Sequence, residues 1–240
     1  MPAWPLLMTA TIAPVAVPRM PLHNPAARWA QYAAALQFWL ARPGLSGVVF
    51  CDNSGYGAPY GPFHEVAVRY GIPLEVLSWA DNQAGMERGK GFGEGRLMER
   101  ALTESHILRS APGFYKVTGR LTVTNFDRIE RRARCHPRAF CRRFLGQAGW
   151  ADTRFFKVDR GCFERYLLRA YQAVTEVPEA VGERWALGQA YARALAPLHP
   201  PALLPLPDVA GCSSLGPQYG DPVPKRTIKH ALAWAGQYRL

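Results

Sequence analysis

The sequence predicts an α/β protein: a mostly parallel central sheet flanked by helices, with a more mixed C-terminal portion. Three observations predict it. Short apolar runs at 47–51 (GVVFC) and 74–79 end in polar, turn-forming residues, as buried parallel strands do. Segments with apolar residues at helical spacing stand between them. Strand-like and helix-like segments alternate through the first 125 residues, the order that crossover helices impose on a Rossmann-type sheet.

Taken in order, residues 9–17 (TATIAPVAV) are rich in β-branched side chains and bounded by prolines, which predicts a central strand. Residues 28–40 follow as a helix with Trp29, Ala33, Leu36 and Leu40 on one face. After the 47–51 strand, residues 63–70 predict a short helix closed by Gly71. The 74–79 strand leads to a longer helix at 94–109, with Leu97, Ala101, Leu102, Ser105 and Leu108 inward. Residues 114–125 form a strand that bends at Gly119. In the second half, 155–158 is a strand, 161–174 and 181–195 are helical, and the proline-rich 197–224 is loop. A basic amphipathic helix at 225–238 closes the order.

The chain has 240 residues, 48% hydrophobic and 20% charged, enough for one substantial core. It shows no internal repeat or linker-like tract, so a single domain over 1–240 is expected. The apolar stretch at 3–17 is interrupted by Pro5 and Pro14 and falls short of the ~20 residues of a membrane helix. Five scattered cysteines (Cys51, Cys135, Cys141, Cys162, Cys212) lack zinc-site spacing and fit a reducing cytoplasm. The net charge of +11 is concentrated at 128–143, which holds Arg128, Arg131, Arg132, Arg134, Arg138, Arg142 and Arg143. Such a cluster suits nucleic acid, an anionic membrane surface or simply a solvated helix face. No helix-turn-helix, RRM or zinc-finger pattern accompanies it, which argues against nucleic acid.

Two stretches are suited to a diphosphate. Gly89-Lys90-Gly91-Phe92-Gly93-Glu94-Gly95 reads as a glycine-rich basic loop opening a helix, where amides, dipole and lysine all favour an anion. It matches neither the P-loop nor the dinucleotide fingerprint. Lys116-Val117-Thr118-Gly119-Arg120 places Lys116, Thr118 and Arg120 on one strand face, too cationic to bury without an anion or acidic partners. Lys90, Lys116 and Arg120 are therefore expected to converge on one pyrophosphate. Asp52-Asn53-Ser54 stands at a strand end, where ligands of such sheets bind, with Asp81 and Asn82 nearby. Asp152 and Glu183 are the candidate acids of the second half, and Ser213 and Ser214 lie in a glycine-flanked loop. No DxD, HExxH or GxSxG pattern occurs.

The order TATIAP, FCDNSG, GKGFGEG, FYKVTGRLTVTN, DTRFFKV, GCSSLGPQYG resembles bacterial glycosyltransferases of capsule and O-antigen assembly. The resemblance runs from Thr9 to about Tyr219. It implies a GT-A-like fold and a nucleotide-sugar donor, a UDP-sugar first. It implies a glycan or lipid-linked acceptor; the cysteines place the enzyme in the cytoplasm, where the arginine cluster and the final basic helix could hold it peripherally at the inner face of the membrane. The resemblance divides the domain into a nucleotide-binding half (1–125) and an acceptor-side half (126–240). Thr11, Asp52, Asn53 and Ser54 would line the nucleoside pocket, and Lys90, Gly91 and Glu94 would sit by the ribose and diphosphate. Lys116 and Arg120 stand where many such enzymes hold metal-binding acids. That leaves a divalent metal in doubt and offers two cations to neutralise the leaving group. Asp152, then Glu183, would be the general base; similar proteins carry an acid near the position of Gly188-Gln189, where this chain has none. Two other readings stay open: a basic nucleic-acid-binding protein and a catalytically inactive, nucleotide-binding relative.

Overall fold

The computed structural model describes residues 3–15, 22–142, 149–176, 185–212 and 218–240. A five-stranded sheet in the order β3-β2-β1-β4-β6 forms the centre. Its strands are β1 (Trp4–Ala10), β2 (Leu45–Asp52), β3 (Leu74–Ser78), β4 (Gly113–Thr118) and β6 (Phe155–Asp159). The first four run parallel, and β6 pairs antiparallel with β4 at the edge. Helices cover both faces, so α/β with a mostly parallel sheet is the observed class.

On one face α1 (Pro25–Leu40) and α6 (Phe126–Ala133) pack against Leu6, Met8, Phe50, Tyr115 and Val117. On the other, α4 (Lys90–Glu104) and α8 (Leu187–Leu195) cover Leu7, Val49, Phe114 and Phe156. The alternation along β4 decides which side each residue serves: Tyr115 and Val117 face α1, Phe114 and Lys116 face α4. α2 (Gly61–Tyr70) ends at Gly71 in the left-handed conformation, φ 63°, as its sequence predicts.

Several expectations are corrected. The first strand is Trp4–Ala10, not 9–17. Beyond Ala10 the backbone is claimed by side chains: Arg28 donates to the Thr11 and Ile12 carbonyls, and Asp52 accepts from the Ile12 amide. The chain therefore leaves the sheet at Thr11, ahead of Pro14. The glycine stretch is not a loop. After α3 (Gln83–Arg88), only Gly89 (φ 108°) turns the chain, and α4 begins at Lys90. Gly91 and Gly95, one helical turn apart, face inward so that α4 can approach its neighbours. A Cβ at Gly95 would lie 2.1 Å from the Tyr171 Cβ, and one at Gly91 would lie 3.0 Å from the Leu187 Cβ. The helix expected at 94–109 breaks at Ser105, whose hydroxyl caps a separate short α5 (His106–Ser110) through the Leu108 amide at 3.0 Å.

The 114–125 strand bends at Gly119 as expected, and its continuation β5 (Leu121–Val123) joins a different sheet. That sheet is β5-β7-β8, with β7 (Val209–Cys212) and β8 (Gln218–Tyr219) inside the segment expected to be loop. Small residues and brevity hide β7 from pattern reading; pairing to β5 at Leu121–Gly211 and Val123–Val209 makes it a strand. The helix expected at 161–174 is irregular: α7 (Arg160–Cys162) runs into a π turn (Phe163–Leu167) and then a 3₁₀ turn (Ala170–Ala173). α9 (Val223–Trp234) is the expected basic C-terminal helix. Among the described residues no helix is long and apolar enough to cross a membrane.

Candidate functional site

The carboxyl ends of β1 and β2 are joined by Asp52. Its carboxylate accepts from the Ile12 amide (2.9 Å), the Ser54 hydroxyl (2.8 Å) and the Tyr56 amide (3.3 Å). Burial pushes its pKa up against these hydrogen bonds. Thr11 donates to the Asn53 side-chain oxygen at 2.7 Å, and the Ser54 hydroxyl accepts from the Ala13 amide at 3.0 Å. The predicted quartet Thr11, Asp52, Asn53, Ser54 is thus one hydrogen-bonded unit. Within it Asp52 is wholly buried and turned inward, so it shapes the strand ends instead of presenting an acceptor to a ligand.

Lys116 and Lys90 both act on Glu94, a carboxylate of the chain itself, and Arg120 lies apart from them, so the three do not share one anion site. Lys116 is fully buried under α4, and its three protons go to Glu94 (2.5 Å), the Thr118 hydroxyl (3.1 Å) and the Thr153 carbonyl (2.6 Å). Burial alone would raise the Glu94 pKa, but Lys116, Lys90 and the Thr9 hydroxyl together hold it below the usual range. The charge that seemed to need a ligand is neutralised inside the chain. Gly119 then turns the backbone, and Arg120 emerges on the α1 side, donating to Gln31 at 2.8 Å with its guanidinium 5.7 Å from the Tyr32 ring. Lys90 is exposed at the first turn of α4. The amide of Gly91 donates to Glu176 at 2.8 Å, so a carboxylate of the chain already meets that helix terminus.

A different set of groups lines a narrow cleft of about 10 Å³ beyond β2 and β3, no larger than a water site as it stands. Asn53, Trp79 and Asp81 face Gly93, Arg96 and Arg100 of α4. Arg96 pairs with Asp81 at 2.9 Å, while Arg100 pairs with Glu104 at 2.6 Å and lies 4.5 Å over the Trp79 ring. Both guanidiniums keep about 40% of their side-chain surface in solvent. Asp81 and Asn82 are fixed to the strand ends through the Asn53 and Ala13 carbonyls. Sequence reading named Asp81 and Asn82 but missed Trp79, Arg96 and Arg100. The signal was present: Arg96 and Arg100 are four apart, beside the apolar pair Leu97 and Ala101.

Asp152 is buried near the start of β6, and both its oxygens are engaged by Arg154 (2.6–3.2 Å), which in turn lies 4.8 Å over Tyr219. Gly188 permits close packing, since a Cβ there would meet the Ala151 carbonyl at 2.6 Å. Glu183, Ser213 and Ser214 lie outside the described residues. Oxygen donors for a divalent cation do not assemble at the end of β4. Lys116, Thr118 and Arg120 stand there, and among the described residues the carboxylates near Lys116, Glu94 and Asp152, are held by Lys116 and Arg154. These residues do not fit a metal at that place.

No protein-family model matches the chain, and no curated protein matches it. Among solved structures it is similar to a chain from Desulfovibrio desulfuricans G20 whose assignment as a nucleotide-diphospho-sugar transferase is provisional. The two share 12% identity over 85% of this chain and 79% of the other, with a TM-score of 0.50. The shared property is the fold: an α/β sheet of the kind that nucleotide-diphospho-sugar transferase has.

Proposed function

We propose that the chain is a glycosyltransferase that moves a sugar from a nucleotide-sugar donor, a UDP-sugar first, to a glycan or lipid-linked acceptor in bacterial surface polysaccharide synthesis. The observation that carries this reading is the narrow cleft at the ends of β2 and β3, which a donor would have to widen by parting Arg96 from Asp81 and Arg100 from Glu104. An indole face, an amide and two half-exposed guanidiniums meet there, at the carboxyl edge where open α/β sheets bind ligands.

In this reading Trp79 and Asn53 hold the nucleoside, with Thr11 and Ser54 fixing the loops around it. Arg96 and Arg100 take the diphosphate, which displaces Asp81 as the partner of Arg96; Lys90 and Arg120 add positive potential from either side. Lys116, Glu94 and Gly91 support the site from beneath. The acceptor hydroxyl oxygen attacks the anomeric carbon as the carbon–oxygen bond to the diphosphate breaks. The electron pair leaves on the diphosphate, and Asp152 receives the hydroxyl proton. Arg154 would orient that carboxylate.

The test is a calorimetric panel of UDP, GDP and CDP on the wild-type protein, Arg96→Gln and Arg100→Gln. One nucleoside diphosphate should bind, and each variant should weaken it by about 1.5–3 kcal/mol, the worth of a charge-assisted hydrogen bond. Binding that ignores both substitutions would remove the groove as donor site. Salt-sensitive DNA binding with no nucleotide response would replace the reading altogether.

A further inference from the structure

A second cleft lies at the opposite edge of the central sheet. Beyond β6 the chain adds two isolated bridges, Ala139 to Lys157 and Phe140 to Ala202, and the cleft opens beside them, between α6, the 199–204 segment and α9. Its volume is about 540 Å³, within the range of small-molecule sites. The floor is apolar: Ala133, Ala139 and Leu203 are all buried. The rim carries two cations, Arg132 and Arg239, with His136 and His199, around Trp234. No acidic residue lines it among the described residues.

Three details point to a ligand. Trp234 keeps 52% of its surface exposed, and the Arg132 guanidinium lies 4.6 Å over its ring, a ready-made platform for a flat body beside a charge. His199 holds a left-handed backbone (φ 42°, ψ 55°), which costs energy in a non-glycine residue and sets it at the rim. Two carbonyls at and just past the end of α6, which would repel an anion, are already engaged by a buried ammonium. The Ala133 and His136 carbonyls both accept from Lys157 beneath the floor, at 2.5 and 2.8 Å.

We propose that this cleft binds a small amphiphilic anion: a phosphate or carboxylate head at Arg132 and Arg239, and a flat apolar body against Trp234 and the Leu203 floor. The site is separate from the β2–β3 groove and does not depend on the function proposed for it.

The experiment titrates the full chain with naphthyl phosphate, inorganic phosphate and naphthalene-methanol, and adds farnesyl phosphate below its micelle concentration to separate aromatic from lipid-derived bodies. Naphthyl or farnesyl phosphate should bind with at least tenfold higher affinity than either the head or the body alone. Arg132→Gln and Arg239→Gln should each reduce that affinity roughly tenfold or more, the effect of a lost charge-assisted contact. Trp234→Leu should weaken the naphthyl ligand while leaving the urea midpoint of unfolding near wild type. Nucleoside diphosphate binding at the other groove should not change in any of these variants. Equal affinity for inorganic and naphthyl phosphate, or binding indifferent to Arg132, Arg239 and Trp234, would overturn the proposal.

Discussion

Replacing Lys116 by methionine separates a structural charge from a ligand-binding one. Lys116 has no solvent exposure, and its ammonium is saturated by Glu94, Thr118 and Thr153. Methionine fills nearly the same volume, so packing loss is small. What remains is Glu94, 12% exposed at its side chain, with the Thr9 and Thr118 hydroxyls as donors and Lys90 as the nearby cation, and the Thr153 carbonyl without its lysine. Removing one member of a buried pair typically costs about 3–5 kcal/mol, because the other charge stays buried and unpaired. Urea unfolding of Lys116→Met should therefore show a loss of that order. Adding Glu94→Met should return at least half of it, since removing both partners removes the uncompensated charge. A loss below about 1 kcal/mol, well short of the buried-pair range, together with a tenfold fall in nucleoside diphosphate affinity, would refute the reasoning and make Lys116 a donor ligand after all.

Other outcomes follow from the same geometry. Gly95→Ala drives a Cβ to 2.1 Å from Tyr171 and should destabilise by about 1–3 kcal/mol or more, measured by thermal unfolding; a neutral result would return the stretch to a loop. Burial pushes the Lys157 ammonium down to about 8 from 10.5. Below pH 8 the buried charge is carried at full cost; between about 8 and 10.5 only the unfolded chain binds that proton, so stability should rise with pH across the window. Lys157→Met should lose that part of the slope in urea titrations run from pH 7 to 10.5. Asp152→Asn should leave donor affinity unchanged and reduce kcat at least a hundredfold, in keeping with the ~10²–10⁴ contribution of a general base; unchanged turnover would exclude it as the base.

The sheet was legible in the sequence because its strands are buried on both faces, which leaves continuous apolar runs ending in polar residues. The 47–51 and 74–79 runs lie within β2 and β3 or reach one residue past them. Residues 9–17 misled because Thr11 and Ile12 have strand-like side chains, whereas their backbone groups are taken by Arg28 and Asp52, far apart in sequence. The glycines misled for a related reason. Alternating glycines suggest a phosphate loop, but the neighbours that demand them, Tyr171 and Leu187, are brought in only by the tertiary fold. Of the residues expected at the site, Thr11, Asp52, Asn53 and Ser54 meet in one hydrogen-bonded unit. The cationic convergence fails because the Lys116 partner sits on another element, 22 residues away. Arg96 and Arg100 escaped notice because an exposed arginine on a helix is ordinary until something faces it.

Gly119 and Gly211 together join the two sheets at close quarters. The Gly119 amide donates to the Thr9 carbonyl at 2.8 Å, and a Cβ at Gly211 would lie 2.3 Å from the Arg120 carbonyl. One polypeptide segment is therefore a rung of the central sheet up to Thr118 and of the smaller sheet from Leu121, with barely a peptide's slack between. Close approach at Gly211 and pairing of β5 with β7 therefore fix Arg120 between the small sheet and the carboxyl end of the first strand.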